Sequence, residues 1–219
     1  MINKIPVITI DGPSGAGKST LANMIAHQLN WSLLESGKIY RLLASFALNK
    51  NITIVEKNII SLANKIDFSL IKKKNIKYYY KSFDFNKVSE ISSQLASYPN
   101  VRKILLEKQR SLRCFPGLIA EGRDMGTVVF PDAILKFFLQ ACLETRAKRR
   151  MLELNKNGYD ISFKNLFIQM KNRDKRDENR LISPLCIPKN AIILDSTNMS
   201  LSEVIATLME YILKKISIS

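Results

Sequence analysis

Residues Val7 to Thr20 read VITIDGPSGAGKST, and three patterns meet there: a β-branched run, a glycine loop and the start of an apolar-periodic segment. Val7-Ile8-Thr9-Ile10 predicts a strand, and Leu21-Ala22-Asn23-Met24-Ile25-Ala26 predicts a helix. Between them stands Gly12-x-x-x-x-Gly17-Lys18-Ser19, in the strand–loop–helix context that separates a phosphate loop from a chance match. Gly12, Gly15 and Gly17 permit positive φ and keep side chains out of the way, so that the N–H groups of Gly12, Ser14, Gly15, Ala16, Gly17 and the residues up to Thr20 can form an anion nest in a loop that Pro13, without an N–H of its own, helps to shape. Lys18 is placed to reach outer phosphates as a point charge, and the Ser19 hydroxyl to ligate a magnesium ion carried by a nucleotide.

The chain has 219 residues with 46% hydrophobic side chains, enough for one globular domain. It has no run of 18 apolar residues, which argues against a membrane span, and MINKIPVITIDG is too short an apolar stretch for a signal peptide. Cys114, Cys142 and Cys186 are far apart without a CxxC, which predicts free thiols and a reducing, cytoplasmic setting. The net charge is +15, from 34 basic and 19 acidic side chains, and fits either anionic partners or a surface loaded with lysine.

Trp31 to Leu34 predicts a second strand, ending in Glu35-Ser36-Gly37-Lys38-Ile39-Tyr40-Arg41 where a strand end of an α/β sheet meets ligand. Leu42 to Leu48, Glu56 to Ile66 and Asn86 to Ser97 read as helices, with the β-prone stretch Asp67 to Tyr80 between the last two. Asn64-Lys65-Ile66-Asp67 matches the guanine-reading NKxD. No aspartate lies between residues 12 and 66 to form the DxxG of a GTPase, so the match is read as chance. The only histidine, His27, is expected on a surface or at a helix end.

Val101 to Arg113 predicts a basic helix and Leu118 to Ala120 a buried strand, ending in Glu121-Gly122-Arg123-Asp124-Met125-Gly126-Thr127. Opposite charges between glycines beyond a strand end suggest a ligand site, or else an ion pair between Arg123 and Asp124. Ile134 to Leu139 is a fourth strand, Glu144 to Asn155 a helix, Ala191 to Asp195 a fifth strand and Ser200 to Lys215 a terminal amphipathic helix. In Lys171 to Arg180, a helix would set Arg173, Asp177 and Arg180 on one face with Arg176 alongside. That face is either a salt-bridged exposed surface or a mobile arm closing on phosphates. The predicted fold is α/β: five parallel strands with helices on both faces and a phosphate loop after the first.

A phosphate loop allows kinases, GTPases, motors and nucleic-acid enzymes. Arginines at strand ends and in an arm fit a small kinase joining two anionic substrates. The absence of a catalytic histidine fits a phosphate-monoester acceptor, whose second pKa of about 6 leaves the attacking oxygen ionised.

IDGPSGAGKST, ESGKIYR, EGRDMGTVVFPDA, RAKRRMLEL, RDKRDENR and LDSTNMSLSEVI occur in the order in which bacterial cytidylate kinases carry similar segments, and the chain resembles that family. The resemblance implies ATP on Gly12 to Thr20 with Mg2+ at Ser19, and CMP or dCMP as acceptor. It places the acceptor phosphate at Ser36, Arg41 and Arg123, with Tyr40 close by. It gives the cytosine edge to Ser93, Arg102, Asp124 and Arg180, and the sugar to Arg173 and Asp177. Lys18, Arg123, Arg173 and Arg180 would carry catalysis. Residues 38–98 would form the monophosphate-binding insert and 150–180 the lid, around a core of 1–37, 99–149 and 181–219. A monomer is expected. The chain departs from the family in a shorter insert, in the sequence of Tyr78 to Val88, and in Glu35 and Glu121, where aspartate is common. The rivals are a UMP or AMP kinase and a basic RNA-binding protein. The latter needs exposed aromatics among basic residues, and only Tyr78-Tyr79-Tyr80 beside Lys77 and Lys81 offers them.

Overall fold

A computed structural model describes residues 4–66, 85–156 and 158–217. The chain divides into two units, one of Met1–Leu34 with Arg113–Ser219 and one of Glu35–Leu112.

The first unit is organised around β1 (Val7–Asp11), all of whose residues are buried. Such continuous burial marks a central strand with both faces covered, which explains why its apolar run barely alternates. β1 pairs in parallel with β3 (Leu118–Gly122), Val7 opposite Leu118, and with β4 (Leu135–Gln140), Ile8 opposite Leu135. β4 pairs in parallel with β5 (Ile192–Asp195), and β2 (Ser32–Glu35) lies outside β3. The sheet is five-stranded and parallel, in the order β2-β3-β1-β4-β5. The expected fold class is therefore the observed one. The strand order reverses direction around β1, and the carboxyl ends there are where α/β sheets receive ligands.

Helix α1 (Lys18–Leu29) leaves the loop after β1 and α8 (Leu201–Ile216) packs beside it. Ile8, Ile10, Ala16, Leu21, Ile25, Phe137, Leu139, Val204, Leu208 and Ile212 form one buried cluster under the loop. A capping box starts α8: Ser200 Oγ accepts from Glu203 N, and Ser200 N donates to the Glu203 carboxylate at 2.7 Å. Helices α6 (Leu143–Lys156) and α7 (Phe163–Asn179) follow β4 and pack together. His27 is exposed in the last turn of α1, as its place in the sequence suggests.

In the second unit, α2 (Ser36–Asn49), α3 (Glu56–Lys65), α4 (Phe85–Leu95) and α5 (Pro99–Arg110) bury Leu42, Leu43, Ile59, Leu62, Val101 and Leu105. Pro99 opens α5 at its first turn, where a missing N–H removes no helix bond. Helix α2 begins at Ser36, immediately after β2 and six residues before the apolar pattern that suggested it. Asn64-Lys65 closes α3, as expected of a helix end rather than a guanine-reading loop. The β-prone stretch from Asp67 to Tyr80 and the tyrosine triplet lie outside the described residues.

Candidate functional site

At the end of β1 the chain enters Gly12 with φ +144° and leaves the loop at Gly17 with φ +94°. These are glycine conformations, and Gly17 caps α1 without any side-chain bond, so the first N–H groups of α1 have no side-chain acceptor from that cap. Gly12 is tied to its place by β4 as well: a Cβ there would fall 2.0 Å from the Leu139 carbonyl oxygen. Lys18 is buried, with Nζ donating to the Pro13 carbonyl at 2.7 Å, so the ammonium folds back over the loop. Burial, and then the nearby Arg123, push its pKa down to about 7, while Glu121 and Asp11 pull against them. Ser19 and Thr20 stand exposed at the first turn of α1.

Ser19 Oγ donates to Glu121 Oε1 at 3.0 Å. Glu121 is a buried carboxylate at the end of β3, and nothing in the sequence marked it for a role beyond its replacement of the usual aspartate. A hydroxyl and a carboxylate at one point beside a phosphate loop are hard oxygen donors of the kind Mg2+ takes. Among the described residues no group of three His, Cys, Asp or Glu could hold a metal on its own.

Asp11 is the second carboxylate that sequence reading missed. It is fully buried at the end of β1 and accepts from Met125 N at 2.8 Å and Gly126 N at 2.7 Å. These donors open a π-helical turn, Met125–Val129, that no pattern in the sequence announced. Burial pushes the Asp11 carboxyl up to about 7 against the pull of those two N–H groups, which donate to its charged form. Asp11 thereby fixes the turn next to Arg123 and Asp124.

Arg123 does not pair with Asp124, the ion pair weighed from their adjacency. Its Nε donates instead to Asp177 Oδ2 at 2.7 Å, and its Nη1 to the Gly12 carbonyl at 3.4 Å. Its Nη2 is buried and without a hydrogen-bond partner among the described residues. Asp177 also lies 3.9 Å from Arg173 Nε and 3.8 Å from Arg180 Nη1. One buried carboxylate thus holds three guanidiniums beside the phosphate loop. Burial opposes ionisation of Asp177, but Arg123, Arg173 and Arg180 outweigh it and keep its pKa below the usual carboxylate range. Burial likewise opposes the charge on Arg123, and Asp177 reverses the balance and raises its pKa. The segment is helical from 171 to 179 with Asp174 and Asp177 buried, whereas Arg176 points to solvent and Arg180, expected on the same helix, caps it in an extended conformation. Asp124 is buried at the mouth of the turn.

In the second unit, Ser36, Tyr40 and Arg41 occupy the first turns of α2. Ser36 Oγ accepts from Gln109 Nε2 at 3.1 Å. The Arg102 guanidinium lies 5.8 Å from the Tyr40 ring centre, a cation–π contact, and its Nη1 donates to Ala96 O at 3.1 Å. Arg41 folds back over Gly37, whose missing Cβ would sit 3.0 Å from Arg41 Nη1. Glu35 pairs with Lys38. Ser93 is half-buried on α4. The structure therefore groups Ser36, Tyr40, Arg41 and Arg102 within one unit, and the loop with Arg123, Asp124, Arg173, Asp177 and Arg180 within the other.

The family model described as Cytidylate kinase matches residues 8–214. A cytidylate kinase of Buchnera aphidicola subsp. Baizongia pistaciae is 50% identical over 220 residues, covering 97% of this chain and 96% of that protein. One from Salmonella paratyphi A is 44% identical over 222 residues, covering 98% of each. Among solved structures, TT1252 from Thermus thermophilus aligns over 97% of this chain and 98% of its own, with a TM-score of 0.49 and 18% identity.

Proposed function

This chain belongs to the cytidylate kinase family, and from that membership and the chemistry of its site we propose that it phosphorylates CMP and dCMP with ATP, giving CDP and dCDP. The observation that carries the reading is the gathering of Arg123, Arg173 and Arg180 on Asp177 beside the phosphate loop. Such a cluster is already ordered for anions, and an acceptor phosphate that enters replaces the carboxylate as its counter-charge.

In this reading the amides of Gly12 to Thr20 hold the donor phosphates and Lys18 neutralises the outer ones. Ser19 and Glu121 would hold Mg2+, which spreads the charge of the donor's terminal phosphates. Ser36, Tyr40 and Arg41 serve the acceptor phosphate together with Arg123. Ser93, Arg102, Asp124 and Arg180 read the base, and Arg173 with Asp177 the sugar. A carboxylate accepts from the exocyclic amine of cytosine, whereas uracil offers it a carbonyl. The acceptor needs no general base, because a phosphate monoester is largely dianionic at neutral pH. Arg123, Arg173 and Arg180 then stabilise the transferred group as charge spreads over its oxygens. Residues 38–98 act as the acceptor-binding insert and 150–180 as the lid. Cys114, Cys142 and Cys186 are free thiols, which supports a reducing cytoplasm, and the chain is proposed to act as a monomer. No helix among the described residues is long and apolar enough to cross a membrane.

The test is ADP formation from ATP with CMP, dCMP, UMP and AMP in turn. CMP and dCMP are expected to be used with the highest kcat/KM. Preference for UMP or AMP would assign the site to another nucleoside monophosphate, and turnover with none of the four would overturn the reading.

A further inference from the structure

Helix α7 carries a second buried carboxylate, Asp174, one turn before Asp177, and it takes a different partner. Its Oδ2 lies 2.7 Å from Nη1 of Arg146, a buried arginine on α6. The same Nη1 donates to the Ser14 carbonyl of the phosphate loop at 3.0 Å, and Nε donates to Ala141 O, just past β4, at 2.8 Å. One guanidinium therefore ties together the loop, the end of β4 and α7. The packing around it is close. A Cβ on Gly15 would fall 2.9 Å from the Arg146 carbonyl oxygen and 2.9 Å from Met170 Cε, and Met170 is buried one turn before Asp174 on α7.

The two carboxylates differ in what a substrate does to them. Asp177 shares its guanidiniums with any anion that enters. Arg146 spends its donors on two main-chain carbonyls and Asp174, with none given to the Asp177 cluster. We propose that Arg146 and Asp174 are positioning residues: their pair fixes α7 on the phosphate loop, so that Arg173 and Arg180 stay in place when an incoming dianion takes Arg123 from Asp177. This role presupposes the phosphoryl transfer proposed above. It calls for arginine in particular, since only a planar fork meets three acceptors on different segments at once, and lysine has a single point of charge.

The experiment measures kcat and KM for ATP and CMP in Asp174→Asn, Asp174→Glu and Arg146→Lys, and then in Asp174→Asn combined with Arg180→Ala. Asp174→Asn is expected to lower kcat by about 10- to 100-fold, the scale of a misplaced catalytic group, with a smaller change in KM. Asp174→Glu keeps the charge and recovers part of the loss. Arg180→Ala is expected to cost less in the Asp174→Asn background than in the wild type, because Arg180 is already out of place there. An equal factor in both backgrounds, or a Tm that falls while kcat stays within about twofold, overturns the proposal. Should Asp174→Asn fail to fold, Arg146→Lys takes its place in the same cycle. Amide hydrogen exchange without nucleotide supplies a readout independent of activity. Faster exchange in 163–179 with 201–216 unchanged supports the latch, and unchanged exchange in 163–179 refutes it. A wild-type protein inactive on every nucleoside monophosphate would overturn the function, while the exchange result still decides whether the latch exists.

Discussion

Replacing Gly12 by alanine tests whether the phosphate loop is held by the sheet or only by its own backbone. The new Cβ would stand 2.0 Å from the Leu139 carbonyl oxygen, so β1 and β4 must part by roughly 1 Å to reach even 3.0 Å. Leu139 cannot yield freely, because it sits opposite Leu194 of β5 and is itself buried in the core. Overpacking of this kind costs about 1–3 kcal/mol. Holding a non-glycine residue at φ +144° adds about 1–3 kcal/mol. The sum, about 2–6 kcal/mol, corresponds to a fall in Tm of about 4–24 °C for a chain of this length. Gly17→Ala is the matched control: φ is +94°, and nothing lies within 4 Å of the added Cβ. It carries the backbone cost alone, about 1–3 kcal/mol. Both variants are to be melted side by side by circular dichroism without nucleotide, so that ligand binding does not shift the curves. The Gly12 variant should melt well below the Gly17 variant. Equal Tm values in the two would refute the claim that β4 constrains the loop.

Three other outcomes are expected. The value of kcat/KM for ATP, which reports groups of the free enzyme, should fall as pH rises through about 7, because Lys18 must be protonated to bind phosphate and burial lowers its pKa to about 7 from 10.5; a profile flat to pH 9 would contradict this. Glu121→Ala removes the acceptor of Ser19 Oγ and should raise the Mg2+ concentration for half-maximal rate by about tenfold or more, whereas an unchanged Mg2+ titration would show that Glu121 does not serve the ion. Asp124→Ala should lose CMP-over-UMP discrimination by about 10- to 100-fold in kcat/KM ratio, and an unchanged ratio would remove Asp124 from base reading.

What could be read from the chain alone was what is local. Lys18 and Ser19 follow a strand and open a helix within a dozen residues, and that arrangement carries its chemistry on its face. Arg173, Asp177 and Arg180 were placed together because helical spacing put them on one face. Partners across the sheet were not legible. Ser19 and Glu121 are 102 residues apart, and Asp11 lies 114 from Met125. Nothing in the order of residues tells that β1 lies beside β3, the step that joins both pairs. For the same reason the adjacency of Arg123 and Asp124 left open whether they serve a ligand or pair with each other. Arg123 finds its carboxylate on α7, 54 residues further along the chain. Arg146 and Asp174 looked like ordinary members of basic helices, and only burial sets them apart.

Val204, Leu208 and Ile212 of α8 complete the buried cluster that Ala16 of the phosphate loop joins, and they are made nearly two hundred residues after it. During synthesis the glycine turn leaves the ribosome early, yet its apolar underside stays wet until α8 has been made. A nascent chain halted before that point presents Phe137 and Leu139 to chaperones or to other chains instead of a finished nucleotide cradle. The proposed nucleotide cradle is therefore completed late in translation, and a chain that stops short of α8 leaves apolar surface uncovered.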